Sequence, residues 1–527
     1  MTEHKDVVIG IDLGTSATKA CAFTVSGQLL AESAASVVLS HPRAGWAEQP
    51  AAVLVESALE ALAAVARRIE VDCVAAIGLT GQMGGLVLVD GDGLAVTPHQ
   101  SWLDTRAAPI AEEISPDDQR RLVARCGAPA YLAPKAVWWQ REHPEVFQRT
   151  RSIVSPVGYA ALALSAGDAG NATIDWSSSG FFGLYDIKTG QIDYDLCSLW
   201  GLEPSLVPHV VPCGEVIGRL SPGCAELSGL LSGTPIVCAP FDGPAGWLGV
   251  GAVEPGCTVD TSGTSNHIGI CGERFSPDLE RQVLVCIPSG VTGLWHLQGY
   301  TNGTGLTHRW YVDAFPPPGA GESTAQRLVA LERLAADVPP GSDGVVCVPH
   351  FGGRVCPLDP TVSGAWVGVL WRHRNEHLYR ALLESVAYEY ACYFEAAERV
   401  DPTCRPREVR VIGGGAASGL WTRIKADVLG IPFIVMEPRN HTCWGAALAA
   451  AFGAGLLDNL ADAAQQSSQI REVVDPDSSN AEIYGARLQV YKQLFSALSP
   501  TNTTLWQERA HTQGAAEVPP DDVEVSG

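Results

Sequence analysis

The sequence carries a short polar segment between two apolar runs near its start: Asp12-Leu13-Gly14-Thr15-Ser16. The runs Val7–Ile11 and Ala17–Val25 are typical of two strands, which makes this segment the tip of a hairpin. Backbone amides and hydroxyls at such a tip can hold phosphate oxygens, and glycine lets a ligand approach closely. The Asp12 carboxylate could bind Mg²⁺ directly or through water. An ordinary turn, in which these side chains bind local amides, is the alternative.

A second segment of this kind occurs about half a chain later. An apolar run ending at Asp260 leads into Gly263-Thr264-Ser265 and then into the apolar run His267–Ile270. Thr15 and Thr264 are 249 residues apart (264 − 15) in a chain of 527. The repetition predicts a duplicated half-molecule. Two such tips facing each other across a cleft could hold a nucleotide polyphosphate from both sides.

Asp242 is the third candidate for chemistry. It follows an apolar run that begins at Pro235, and Gly243 and Pro244 come directly after it. The end of a buried strand is where α/β proteins place catalytic groups. Asp242 could accept the proton of an attacking hydroxyl during phosphoryl transfer. The alternative is a helix N-cap before Pro244, and both roles can hold together.

Two further segments carry polar groups that suit sugar hydroxyls: Gly81-Gln82-Met83-Gly84-Gly85 and Trp102-Leu103-Asp104-Thr105-Arg106. Amide, carboxylate and guanidinium groups supply directional hydrogen bonds, and Trp102 offers a flat apolar face. On spacing alone, a surface Asp–Arg pair beside a core tryptophan is an equal alternative.

A glycine-rich segment lies late in the chain: Ile412-Gly413-Gly414-Gly415-Ala416-Ala417-Ser418. It precedes a predicted helix, Gly419–Leu429. Glycines between a strand and a helix let a ligand approach the backbone. The GxGxxG-like spacing is nonspecific by itself.

The pattern around these segments is that of an α/β protein. Two domains meeting at a cleft are predicted, residues 1–250 and 251–500, with residues 501–527 as a disordered acidic tail. The alanine-rich run Trp444–Leu456 suits close packing against a partner helix. The remaining predicted elements are the helices Ala51–Glu70 and Glu376–Glu398 and the strands Cys73–Thr80 and Leu86–Asp90.

Composition limits the class of protein further. A hydrophobic fraction of 46% and a charged fraction of 18% are typical of a folded globular chain. The net charge of −23 disfavours nucleic acid and anionic membrane surfaces as partners. The 15 cysteines are scattered, mostly in apolar runs, so we expect free thiols in a reducing compartment. No signal peptide or membrane-spanning stretch is predicted, and a cytoplasmic location is expected.

In their order along the chain, these segments resemble the FGGY family of carbohydrate kinases, and within it the xylulose kinases. The likeness extends from about Val7 to about Gly455. It includes three more segments: Gly45-Trp46-Ala47-Glu48-Gln49; Pro134-Lys135 through Trp138 with Arg141-Glu142; and Gly364–Val369 with His377-Leu378 and Ala381–Glu384.

The resemblance implies an α/β, two-domain actin/hexokinase/Hsp70-like (ribonuclease H-like) ATPase fold, with ATP, Mg²⁺ and a sugar in the cleft. By position, Asp242 would be the catalytic base and Asp12 the carboxylate on the Mg²⁺ side. The sugar pocket would contain Gln82, Met83, Trp102, Asp104, Arg106 and Asp242. The nucleotide and its phosphates would contact Gly14, Thr15, Ser16, Gly263, Thr264, Gly305, Gly414, Gly415 and Ser418.

Departures from the family pattern bear on the substrate. Gly84 stands where xylulose kinases usually have histidine, and Ala239-Pro240-Phe241 replaces a run of glycines. Leu132 and Ala136 also break the first signature. We expect ATP-dependent phosphorylation of a small sugar, first of all a ketopentose. Another ketose, a polyol or a linear signal molecule stays open, as does a nucleotide-dependent binding protein that transfers nothing. A homodimer is compatible with this kind of enzyme.

Overall fold

The computed structural model describes residues 5–319 and 321–513. In the first half of the chain the strands are β1 (Val7–Leu13), β2 (Ala17–Thr24), β3 (Leu29–Ser36), β4 (Glu48–Gln49), β5 (Val74–Gly81), β6 (Val87–Val89), β7 (His99–Gln100), β8 (Ser152–Val154), β9 (Thr173–Asp175), β10 (Tyr185–Asp186), β11 (Gln191–Ile192), β12 (His209–Val211), β13 (Val216–Arg219) and β14 (Pro235–Cys238). The helices are α1 (Ala51–Ala66), α2 (Ala108–Glu112), α3 (Pro116–Cys126), α4 (Leu132–Glu142), α5 (Pro144–Phe147), α6 (Pro156–Ser165), α7 (Trp176–Phe182), α8 (Tyr194–Trp200), α9 (Pro222–Ser228) and α10 (Asp242–Gly249).

The second half follows with its own strands and helices. The strands are β15 (Cys257–Ser262), β16 (Asn266–Gly272), β17 (Val285–Pro288), β18 (Trp295–Thr301), β19 (Val346–Val348), β20 (Ala365–Val367), β21 (Glu408–Ile412), β22 (Phe433–Met436) and β23 (Ile470–Val474). The helices are α11 (Thr304–Ala314), α12 (Thr324–Ala336), α13 (Asn375–Val400), α14 (Gly419–Leu429), α15 (His441–Gly453), α16 (Leu460–Gln466) and α17 (Ala481–Gln513).

Each half builds one large sheet on the same plan. The first has the order β13-β14-β5-β1-β2-β3, and the second has the order β17-β18-β16-β15-β21-β22-β23. In both, an antiparallel hairpin (β1–β2 or β15–β16) continues into two parallel strands and then an antiparallel edge strand. The structure therefore confirms the predicted α/β class and the duplicated half-molecule.

The first sheet is covered on both faces, which explains why its central strands are continuous apolar runs. Every residue of β5 is buried. Helices α1 and α6 pack on one face of this sheet, and α15, which comes from the second half of the chain, packs on the other.

Helices α10 and α15 cross where the two halves meet. A β-carbon added at Gly10 of β1 would lie 1.8 Å from the carbonyl oxygen of Cys443 in α15. One added at Gly445 would lie 1.8 Å from the carbonyl oxygen of Ala245 in α10. Only glycine permits such approach of two backbones. The alanine-rich run was predicted to pack closely on a partner helix, and α10 is that helix.

The predicted domain bounds can be compared with the observed elements. The boundary at residue 250 lies between α10 and β15, and it stays a proposal. Residues 501–513, predicted as the start of a disordered tail, instead continue helix α17. An earlier part of this helix is fixed by Tyr491 and Leu494, which pack with Tyr388 of α13. The rest of the predicted tail, 514–527, lies outside the described residues.

All fifteen cysteines lie in the described part of the chain, and all are free thiols, as predicted. None of its helices is long and apolar enough to cross a membrane.

Candidate active site

Three parallel neighbours, β14, β5 and β1, end at one edge of the first sheet. Asp12 lies near the end of β1, Gln82 directly follows β5, and Asp242 follows β14 by four residues. The crevice beyond the carboxyl ends of parallel strands is where α/β proteins bind ligands. The topology thus brings the predicted catalytic base, the predicted Mg²⁺ carboxylate and one predicted sugar ligand to the same edge.

Asp12 has the properties of a cation ligand. Its Oδ1 atom is buried, and no group in the described chain donates a hydrogen bond to it. Burial raises the pKa of Asp12 to about 6, although Lys19, its partner across the hairpin, acts in the opposite direction. A buried carboxylate oxygen without a donor is stabilised by a positive charge.

Asp242 is the first residue of α10, and the N-cap position belongs to Phe241. Its Oδ1 atom accepts a hydrogen bond from its neighbour's amide, Gly243 N, at 2.7 Å. Burial, together with the charges of Asp12 and Asp175, raises the pKa of Asp242 to about 7. A carboxylate with a pKa near neutrality can accept a proton from a hydroxyl at physiological pH.

The backbone before Asp242 is fixed by hydroxyl groups that the sequence did not reveal. Thr80 Oγ1 donates to Pro240 O at 2.5 Å, and Phe241 N donates to Ser177 Oγ at 3.1 Å. Ser177 Oγ in turn donates to Asp175 Oδ1 at 2.5 Å. Asp175 caps α7 and is identifiable as a cap from its spacing to Ser178. The hydrogen bond between Ser177 and Phe241 joins residues 64 positions apart, so local sequence patterns could not predict it.

The predicted sugar ligands Gln82 and Trp102 meet the first hairpin tip. Trp102 Nε1 donates to Thr15 Oγ1 at 3.0 Å, and Thr15 Oγ1 lies 3.4 Å from Gln82 Oε1. Gln82 Nε2 is buried without an acceptor in the described residues, so it is available to a ligand. Met83 packs against the buried cluster that contains Phe241, the residue before Asp242. Thr15, predicted to bind phosphate, thus contacts two of the residues predicted to bind the sugar.

Asp104 and Arg106 form a buried pair instead of the surface pair that was the alternative. Their side chains are nearly inaccessible, and Arg106 also binds Glu48 at 2.6 Å and lies over the Trp46 ring. Both carboxylate oxygens of Asp104 already accept hydrogen bonds, from Arg106, from Gln100 Nε2 and from Ala47 N. Asp104 therefore orients Arg106 and its own loop, and contact of either residue with a sugar stays a prediction.

The predicted nucleotide residues of the second half also come together. Gly305 N donates to Thr264 O at 2.9 Å, and a β-carbon at Gly305 would lie 2.3 Å from Gly263 O. A β-carbon at Gly415 would lie 2.5 Å from the side chain of Ser262. The second tip is therefore bordered by glycine backbone on two sides, where the absence of side chains lets a ligand approach the backbone closely.

Gly414 and Ser418 complete this group with different surroundings. No atom lies within 4 Å of the position a β-carbon would take at Gly414. Ser418 caps α14, where its Oγ accepts a hydrogen bond from Trp421 N at 3.1 Å. Gly14 and Ser16 are at the first tip, where Gly14 N donates to Ala17 O.

A buried ion pair lies beneath the second tip, and sequence reasoning missed it. Lys425 Nζ donates to Asp260 Oδ2 at 2.5 Å and to Ser262 Oγ at 2.8 Å. Tyr390 donates to the other oxygen of Asp260 at 2.7 Å. The pair joins residues 165 positions apart, and no local pattern in the sequence announces it.

Helix α10 connects the two sides of the site. It begins at Asp242, and Trp247 Nε1 donates to Thr261 Oγ1 at 3.2 Å, two residues before Gly263. Five residues of helix span about 7.5 Å. Helix α10 therefore connects Asp242, at its start, with the strand that leads into the second tip.

The site also suits Mg²⁺. In residues 5–319 and 321–513, no three His, Cys, Asp or Glu side chains are grouped so that they could hold a metal ion alone. Mg²⁺ usually keeps several waters and takes one or two carboxylates together with substrate phosphates. Asp12, with its free buried oxygen beside a phosphate-binding tip, fits that requirement.

The duplicated two-domain fold, with one large mixed sheet in each half, is that of the actin and hexokinase class of ATPases. Residues 7–249 match the N-terminal domain of the FGGY family of carbohydrate kinases, and residues 260–454 match its C-terminal domain. The chain belongs to the FGGY family of carbohydrate kinases, whose members use ATP as phosphate donor.

Individual relatives agree with this membership. The chain is 27% identical over 505 residues to a xylulose kinase of Bacillus subtilis, covering 94% of this chain and 98% of the relative. It is 27% identical over 465 residues to a gluconokinase of Bacillus licheniformis, covering 86% and 88%. The solved xylulose kinase of Rhodospirillum rubrum superposes with a TM-score of 0.84 at 28% identity, covering 94% of this chain and all of that one.

Proposed function

We propose that this sugar kinase transfers the γ-phosphoryl group of ATP to a hydroxyl of a small ketose, with a ketopentose as the first choice. The observation that carries the proposal is the position of Asp242. Its carboxyl, with a pKa near 7, lies at the sheet edge that also presents Asp12 and Gln82. The xylulose kinase relatives cover nearly the whole chain, which favours a ketopentose over other sugars.

The side chains divide the work in the proposed reaction. Gln82 Nε2, buried and without an acceptor, would donate to a sugar oxygen, while Trp102 and Met83 provide apolar faces. Asp242 would orient the attacking hydroxyl and accept its proton as the bond to phosphorus forms. The transition state of phosphoryl transfer is loose, so positioning and electrostatics supply most of the rate.

The phosphate side would use the two hairpin tips and the glycines around them, whose backbone a phosphate can approach closely. The first tip offers Gly14 and Ser16, and the second offers Gly263, Thr264 and Gly305, with Gly414, Gly415 and Ser418 around the nucleotide. Asp12 would hold Mg²⁺, which neutralises phosphate charge when it is bound. The negatively charged phosphates of ATP can bind to this acidic protein because local amides and a bound cation outweigh the protein's net charge.

Gly84 favours a second candidate class of substrate. It has φ of +80° and lies 3.3 Å from the Trp102 side chain when extended by a β-carbon. Glycine here removes the hydrogen-bonding group that a histidine would supply. A linear substrate, such as an aldonate, a polyol or a linear signal molecule, could bind without that group, and the gluconokinase relative supports this candidate.

We further propose that the protein works in the cytoplasm with free thiols, and that its partners are small molecules and not nucleic acid or membranes. The charge of −23 supports this exclusion. A homodimer remains a proposal that sedimentation can test.

A coupled ATP-consumption screen tests the proposed function. Purified protein with Mg²⁺ and ATP is offered ketopentoses, ketohexoses, polyols and aldonates, and product is confirmed by mass. We expect one ketopentose to give the highest kcat/KM. The best rate with an aldonate or polyol would instead select the second class. ATP hydrolysis that no compound stimulates would favour the nucleotide-dependent binding protein and contradict sugar transfer.

A further inference from the structure

Lys135 is a buried lysine on α4 that the proposed mechanism does not use. Only 3% of its surface is exposed. Its Nζ donates to Gly84 O at 2.7 Å and to Ser101 O at 2.6 Å. These carbonyls belong to two segments distant in sequence, Gly81–Gly85 and Ser101–Asp104. The lysine therefore bonds to the backbone of both at once.

The two segments carry four of the predicted sugar ligands: Gln82, Met83, Trp102 and Asp104. They also lie side by side, because a β-carbon added at Gly84 would be 3.3 Å from the Trp102 side chain. No other backbone donor binds Gly84 O in the described structure. The Lys135 ammonium is thus the hydrogen-bond donor that fixes the end of the first segment relative to the second.

Helix α4 strengthens this contact one turn later. Trp139 Nε1 donates to Gln100 Oε1 at 3.1 Å, and Gln100 Nε2 donates to Asp104 Oδ1 at 2.8 Å. Residues four apart lie on one face of a helix, so Lys135 and Trp139 present donors to the same loop. One face of α4 therefore supports both segments that carry the predicted sugar ligands.

We propose that Lys135 is a positioning residue for the sugar, holding the Gln82 and Trp102 segments at the separation that the substrate requires. It does not touch the sugar itself. The inference rests on the proposed function, because it concerns the pocket where that substrate would bind.

The charge of Lys135 adds a pH dependence. Burial lowers its pKa to about 7, with Asp104 opposing and Arg106 adding to this effect. The third titratable neighbour, His99, has a pKa lowered to about 3 and stays neutral. Below pH 7 the ammonium makes two charge-assisted bonds, which are stronger than those of the neutral amine present above pH 7. The KM for the sugar should rise as pH rises through about 7.

Steady-state kinetics of Lys135→Met test the proposal, with the best substrate from the screen. We expect the KM for the sugar to rise at least about tenfold at pH near 6.5, which one or two lost hydrogen bonds can produce. The KM for ATP should not change. The variant should also lose the rise of the sugar KM between about pH 6 and pH 8.5. Exposed Lys188→Met is the matched control and should match the wild type.

The outcomes separate the two proposals. A wild type that phosphorylates no compound contradicts the proposed function. An active wild type whose Lys135→Met variant keeps the sugar KM and its pH dependence overturns the role of Lys135. If Lys135→Met shows no cooperative melting, Lys135→Gln retains N–H donors without charge, and we expect an intermediate, pH-independent sugar KM. A sugar KM in the wild type that is flat over this pH range also overturns the proposal.

Discussion

At the scale of single residues, the site is defined by two carboxylates whose surroundings oppose ionisation. Burial raises the pKa of Asp12 to about 6 and that of Asp242 to about 7. A folded state that binds these protons more tightly than the unfolded chain loses stability as pH rises from about 4 to about 7. At neutral pH the protein thus contains two buried carboxyl groups whose ionisation lowers its stability, which is typical of functional sites.

Asp242→Asn should therefore raise stability at high pH. Asparagine cannot ionise, so the variant avoids the cost of a buried charge, and we expect a higher melting temperature at about pH 8. The difference should shrink towards about pH 4, where the carboxyl of Asp242 is protonated in the folded protein. Thermal melting across pH measures it. Exposed Asp92→Asn should show no such pH-dependent gain, and a less stable Asp242→Asn at pH 8 would contradict the account.

The wild-type pH profile is a second prediction at this scale. Asp242 must be ionised to accept a proton, so kcat should rise as pH increases through about 7. Initial rates at saturating sugar measure the profile, because kcat does not include the change of the sugar KM expected from Lys135. Activity that stays constant from about pH 5.5 to pH 8 would show that no group of this pKa takes part.

At the scale of elements, the sequence patterns were sufficient for the strands and helices that carry the site. Periodicity and glycine placement predicted the positions of three elements correctly. These are the hairpin around Asp12, the second hairpin around Gly263 and helix Gly419–Leu429. Local patterns predict such elements because buried residues recur every two positions in a strand and every three to four positions in a helix. The links between elements, such as Asp175 to Ser177 to Phe241 or Lys425 to Asp260, depend on tertiary distances and could not be predicted.

The contact between β1 and α15 gives a prediction about elements. Gly10→Ala places a methyl group 1.8 Å from the Cys443 carbonyl, so the helix must move. We expect a loss of about 3 kcal/mol in the free energy of unfolding, the upper range for overpacking. Gly485→Ala in α17 has open space around it and should be neutral or stabilising by about 1 kcal/mol. Denaturant titration compares them, and equal stabilities would contradict this packing.

At the scale of the whole molecule, two copies of one sheet plan supply different halves of a reaction. The first half presents the carboxylates and the polar sugar segments, and the second presents a glycine-bordered tip above the Asp260–Lys425 pair. Helix α10 joins them, from Asp242 to the contact of Trp247 with Thr261. In the proposed reaction, transfer would depend on the Asp242 carboxylate at the junction, and loss of that group should leave both binding surfaces intact.

Steady-state turnover of Asp242→Asn with the best sugar tests this central claim most directly. The account predicts that kcat falls by about 10³, the scale of a lost general base, while the affinity for ATP, measured by calorimetry, is unchanged. A kcat within about tenfold of the wild type would contradict it.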